Sequence, residues 1–392
     1  MKWFTANSIF DTIRPVYRAG KTIGIFTHTI DFQKHELIKT PIDQLMLVLA
    51  VMTDVYALKT SSKNSFAISD SILLNVGIYS SVSLGFIISL AIMLYNRLVA
   101  RRMFGIFTAL EQVDVLLLSH GYRMNHQFNH LVSCCFMATP LIVNFVMMII
   151  TFFIDQDPVS ESLTLPEILV FLRSSLVFTI FGSYTCVSLC SIYLRFRGLN
   201  EVISDHFPTS LMAEPIQKAI GKEASAVVSS VRSFGDIHEK LCDTIVDFNY
   251  CFALQILLMM ASAFGYTLFS IFGLIHTLSQ AQDEQRTSMN NMVYGCIFLS
   301  FIIQVVVTGS LATQECKKTG VVIHKAICYG IYDEHIRKQF KFLSQQLRGT
   351  SPTVSCLLFD FEWPFLVAVA ASLVMHVVIL VQFDLANIAK KV

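Results

Sequence analysis

Two histidines four residues apart, His126 and His130, raise the question of chemistry. On a helix, an HxxxH pair projects both imidazoles from one face, a spacing that can hold zinc. A catalytic zinc needs three protein ligands and an open position. No third His or carboxylate is evident at the depth of the pair, so a membrane metallohydrolase stands only as a rival reading. No catalytic residue, metal ligand set or cofactor is expected. Near the C-terminus, Ser372, His376, Ile379 and Phe383 recur at i, i+4, i+7 and i+11 of an apolar run, with Gln382 beside the last. They share one helical stripe. A stripe mixing Ser, His and Gln is costly against lipid and acceptable toward water or protein. Arg173 lies alone in another apolar window. An unpaired charge costs about 2–3 kcal/mol at a span centre, so Arg173 either meets a polar partner or snorkels to headgroups.

The elements that must position these groups are membrane helices. The chain has 392 residues, of which 54% are hydrophobic and 15% charged, with mean hydropathy +0.59. A soluble domain carries roughly 25% charged residues. The net charge of +1 points to no nucleic-acid partner. A helix needs about 20 apolar residues to cross a bilayer. Such windows lie near 42–58, 71–95, 131–154, 167–193, 250–277, 291–312 and 364–384. The first is weakest, because it carries Asp43 and Asp54. The expected fold class is therefore an all-α integral membrane protein with seven transmembrane helices. Inverted repeats and broken spans would mark a transporter; no convincing repeat is present, and Pro140 is the one proline well inside a span.

Lys and Arg set the direction. Of the 29, 23 fall in 1–41, 96–130, 194–249 and 313–363, and five in the segments that alternate with them. The N-terminus and long loops are expected inside and the short C-terminal tail outside. A G-protein-coupled receptor has the opposite direction, and the seventh span holds no NPxxY. The first thirty residues show no apolar core with a cleavable flank, so no secretory signal is expected. The ten cysteines include no CxxC pair and read as reduced thiols.

The internal segments are themselves patterned as helices. From Pro215, Ile220, Val227, Val231, Phe234, Leu241, Ile245 and Phe248 mark one face running into the fifth span. A second stretch, near 319–347, shows Ile327, Ile331, Ile336, Phe340, Leu343 and Leu347; a third lies near 101–124. The expected organisation is a cytoplasmic segment 1–41, six spans with helical extensions over 42–312 (about 101–124 and 214–249), an anchor helix over 313–349 and a seventh span over 364–384.

Several stretches resemble the insect gustatory receptors, within the wider insect chemoreceptor superfamily. The family ends its last span with Thr-Tyr, five apolar residues and Gln-Phe. Here Met375 and His376 replace Thr-Tyr, and Gln382-Phe383 follow at the family spacing. Arg195-Phe196-Arg197-Gly198-Leu199-Asn200 is similar to the family's R-F-x-x-L-N. The run from Ile237-His238 to Cys242-Asp243, with Asn249, Phe252, Leu257 and Phe264, looks like its approach to the fifth span; Cys316 and Thr319 fall where it places Cys and Thr. The resemblance covers roughly 95–383.

This resemblance implies a tetrameric, tastant-gated, non-selective cation channel in the plasma membrane of chemosensory neurons. Seventh helices would line one central pore and cytoplasmic helices would anchor the subunits. Implied partners are a small-molecule tastant, monovalent and divalent cations, the lipid bilayer, further copies of the chain and other receptor subunits. By position, Gln382 and Phe383 take the gate, with Ile379 and His376 below and Asp384 as an outer carboxylate ring. Val377 stands where sugar-sensing members carry an acid, which disfavours a typical sugar receptor. The implied ligand site lies in the outer half of each bundle, with Asn75, Tyr79, Arg173, Tyr266, Phe269, His276, Asn291 and Tyr294 as candidates.

Overall fold

The computed structural model describes residues 6–61, 71–154, 165–209, 224–278, 282–349 and 352–391. Among these the chain forms α1 (Ile9–Thr22), a hairpin of β1 (Thr29–Asp31) and β2 (Glu36–Ile38), α2 (Pro41–Ser61), α3 (Ile72–Ser119), α4 (His126–Ile154), α5 (Leu165–His206), α6 (Ala224–Thr277), α7 (Gln282–Tyr329), α8 (Glu334–Gly349) and α9 (Trp363–Lys391). Seven of them, α2 to α7 and α9, are long and apolar enough to cross a membrane. They correspond to the seven windows read from the sequence. Helices suit this setting because every backbone group is paired within the segment.

Four spans continue beyond membrane thickness. α3 runs for 48 residues and α6 for 54 without a break, the latter roughly 80 Å at 1.5 Å per residue. The start of α6 expected at Pro215 lies outside the described residues. The stretch over 313–349 is two helices, not one. α7 carries the sixth span on to Tyr329, and α8 begins at Glu334. Gly330 closes α7 by returning its N–H to the Ala326 carbonyl at 3.0 Å. The apolar repeat misleads there because Ile327, Ile331 and Ile336 keep helical spacing across the break, while Ile331 is exposed.

The extensions pack into one cluster. Leu110, Val113 and Leu117 of α3, Leu199 and Ile203 of α5, Phe234, Leu241 and Ile245 of α6 and Phe340 and Leu343 of α8 are buried together. Phe207 stacks edge-on against Phe340 at 4.9 Å between centroids. α3 ends at Gly121, whose φ of +86° allows the closing pair of bonds: Gly121 to Leu118 at 2.9 Å and Tyr122 to Leu117 at 3.0 Å.

The N-terminal segment packs onto the spans. α1 buries Ile9, Phe10, Ile13, Val16 and Tyr17 against α4 and α5. Ser8 caps it by accepting from the Asp11 N–H at 3.2 Å, and Gly24, at φ +86°, ends it. Phe26 then packs on Tyr184 of α5 at 4.6 Å. The two acids that weaken the first window are both paired. Asp43 meets Lys21 at 3.1 Å, and Asp54 meets Arg173.

α5 is the central column: 83% of its apolar window is buried, against 11% for α9. Its composition explains this. Thr185, Ser188 and Ser191 are buried, and each hydroxyl donates to the carbonyl four residues back at 2.8–2.9 Å. Small, self-satisfied side chains let neighbours approach closely in an apolar medium.

Candidate functional site

Three groups of residues carry the functional geometry, and the first is the joint between spans and extensions. Arg195, fully buried, donates to Asp114 Oδ2 of α3 at 2.6 Å and to the Ser191 carbonyl at 2.9 Å. Asn200 donates from Nδ2 to the Glu315 carbonyl of α7 at 3.0 Å and to its carboxylate at 2.8 Å. The R-F-x-x-L-N stretch therefore ties α5 to both neighbours. Asn249 of α6 donates to the Thr353 carbonyl at 2.8 Å and accepts the Ser355 N–H at 3.2 Å. The Val354 N–H reaches Thr313 of α7 at 3.1 Å. The connector from α8 to α9 is thereby pinned to α6 and α7, and its own Val354, Cys356 and Phe361 are buried. His238 and Cys242 of α6 meet Cys316 of α7 in the same layer.

The HxxxH pair does not converge. His130 Nδ1 pairs with the Asp11 carbonyl at 3.1 Å, while His126 Nε2 stands 3.8 Å from Asp114. Burial, first, pushes the His126 pKa below its ordinary value; Asp114 and Asp11 oppose that, whereas Arg195 and Arg123 add to it.

The second group is a cavity of about 40 Å³ between α3, α5, α6 and α7. Ser81, Ser174, Ser175 and Ser262 supply its polar wall, and Phe86, Phe178, Phe298 and the Tyr266 ring its apolar one. Gly85 leaves one side open, since a Cβ there would meet nothing within 4 Å. Of the sequence candidates, Tyr266 lines this space. Tyr294 packs in the same small cluster as Tyr266, and Asn291 accepts from the Tyr266 hydroxyl at 3.2 Å. Phe269 packs instead with Leu74, Ile78 and Phe272, and Asn75 and Tyr79 are half-buried on α3 away from it. Arg173, expected in a ligand site, forms an ion pair with the buried Asp54 and reaches Met93 Sδ at 3.2 Å. Its charge needs a partner at that depth, and α2 supplies one. The serines of the wall escaped sequence reasoning because single hydroxyls in apolar helices carry no directional signal.

The third group is the end of α9. Leu373 and Val377 face Leu268 of α6. Val367, Val374, Met375, Val378, Ile379 and Phe383 are exposed from the subunit, as are His376 and Gln382. His376 Nδ1 pairs with the Ser372 carbonyl at 2.7 Å. Asp384 does not share that face. Its carboxylate accepts from Ser71 at 3.1 Å and meets His276 Nδ1 at 2.5 Å, which holds the end of α9 to α3 and α6. The outward ring of carboxylates expected at 384 gives way to this inward pairing, and His276, expected in the ligand set, is the residue that meets it.

The family model of the 7tm chemosensory receptors matches residues 13–387. Two solved structures of similar fold are of the insect olfactory receptor OR5 from Machilis hrabei, one of them in complex with eugenol. Each is 11% identical to this chain and covers 95% of it and 99% of its own length, with TM-scores of 0.70 and 0.62. No curated protein sequence matches the chain significantly.

Proposed function

This chain belongs to the 7tm chemosensory receptor family, a multi-pass membrane family of receptors and not of enzymes, and on that premise we propose that it is a gustatory receptor acting as a tastant-gated, non-selective cation channel. Four copies surround one pore lined by their α9 helices. The N-termini lie in the cytosol, in the plasma membrane of chemosensory neurons. The observation that carries this reading is the placement of α9. It has the highest hydropathy of the seven spans and the smallest buried share, and its open side carries His376, Gln382 and Phe383. Lipid accepts Val and Met but not a polar stripe; a shared aqueous path lined by identical helices accepts both. At its outer end, four Phe383 rings close the path by excluding water, and rotation toward the Gln382 amides wets it.

The tastant enters the Tyr266 cavity. At about 40 Å³ this space holds only a few waters, so binding must spread α3, α5 and α6. Hydroxyl and aromatic walls suit a small amphipathic molecule, in line with the eugenol complex of the olfactory receptor of similar fold. Expression of the chain alone with calcium readout against a tastant panel tests the reading. Phe383→Ala is expected to raise basal conductance; unchanged currents from well-assembled protein would overturn the gate assignment.

A further inference from the structure

We propose that His238, Cys242 and Cys316 form a zinc-binding site that clamps α6 to α7 beneath the membrane spans. His238 and Cys242 stand four apart on α6, so their side chains leave one face of the helix, and Cys316 comes to them from α7. All three are buried: 2% exposed for His238, 5% for Cys242 and 1% for Cys316. Their donor atoms lie within 4.8 Å of one another.

The distances decide what such a group can hold. A tetrahedral zinc with Zn–S of about 2.3 Å and Zn–N of about 2.0–2.1 Å sets two sulfurs roughly 3.8 Å apart and each sulfur roughly 3.6 Å from the nitrogen. Here the sulfurs are 4.0 Å apart, and His238 Nε2 lies 3.8 Å from each. All three edges come within a few tenths of an ångström of that triangle. Two thiolates and an imidazole are soft, borderline ligands that select zinc over magnesium or calcium. The fourth position falls to water. On binding, each thiol passes its proton to solvent as its sulfur lone pair enters the metal shell, with no change in oxidation state. The Phe196 ring, edge-on to His238 at 5.7 Å, limits the swing of the imidazole. The site follows from these side chains and does not depend on the channel reading.

The test uses the full chain purified in nanodiscs without chelators. Elemental analysis is expected to find about one zinc per chain. After zinc removal, added cobalt(II) is expected to give the intense visible bands of a tetrahedral site and thiolate-to-metal charge transfer in the near ultraviolet. Cys316→Ser and His238→Ala should lose both signals, and Cys328→Ser, an exposed cysteine of α7 outside the group, should keep them. If the variants misfold, the wild-type readings decide. Zinc at trace level with no cobalt bands in monodisperse wild-type protein, or a Cys242–Cys316 disulfide found by mass spectrometry, would overturn the proposal.

Discussion

Arg195 offers the sharpest test of how the extensions are held. Its guanidinium is fully buried, 2.6 Å from an Asp114 carboxylate that is itself 11% exposed. Arg195→Met keeps a stem of similar length and removes the charge. Asp114 then faces His126 at 3.8 Å, an imidazole whose pKa burial keeps below its ordinary value. Removing one partner of a buried pair destabilises by about 3–5 kcal/mol, or roughly two to three and a half powers of ten in the folding equilibrium. Replacing both residues, as Arg195→Met with Asp114→Leu, should recover most of that loss, because no charge is left buried. The penalty also carries a pH signature. In the wild type His126 is held below its ordinary pKa, so the unfolded chain binds more protons and stability falls on acidification through the histidine range. Without Arg195, one cation that opposes His126 protonation is gone and Asp114 is unpaired. His126 then protonates more readily and supplies the missing positive charge. The loss in Arg195→Met should therefore be smaller near pH 5.5 than near pH 7.5, on either side of the usual histidine value of about 6.5. Thermal unfolding of nanodisc-embedded protein, across the two single variants and the double, reads both effects. A single variant as stable as the double at neutral pH, or a penalty that grows on acidification, would refute the reasoning.

Three further outcomes follow from the site. Asn249→Ala removes both bonds to the α8–α9 connector and should cost about 1–3 kcal/mol, seen as faster proteolysis within 352–362 and an altered response threshold. Gly85→Ala should raise thermal stability by about 0.5–1 kcal/mol, because Ala is the better helix former and the added Cβ meets no neighbour. Gly85→Leu fills the cavity and should abolish tastant responses while leaving the basal current of Phe383→Ala intact; undiminished responses would place the ligand elsewhere.

Much of this protein is legible one residue after another. Span length and the period of Val231, Phe234, Leu241 and Ile245 are local properties of the chain. A bilayer reads them without reference to any distant contact. What the tertiary structure decided concerns where side chains point and whom they meet. Arg173 read as a candidate binding residue until Asp54, 119 residues earlier, took its charge. Asp384 sits beside Phe383 in sequence, yet a single helical residue step turns it inward to His276, 108 residues away. The periodicity of Ile327, Ile331 and Ile336 runs through a break at Gly330 that only the packed α8 reveals. His238 and Cys242 show their common face in the sequence, whereas Cys316, 74 residues beyond Cys242, joins them only once α6 and α7 are packed. Hydrophobic patterning specifies which segments enter the membrane; pairing among polar groups depends on distances between helices, and those exist only in the assembled bundle.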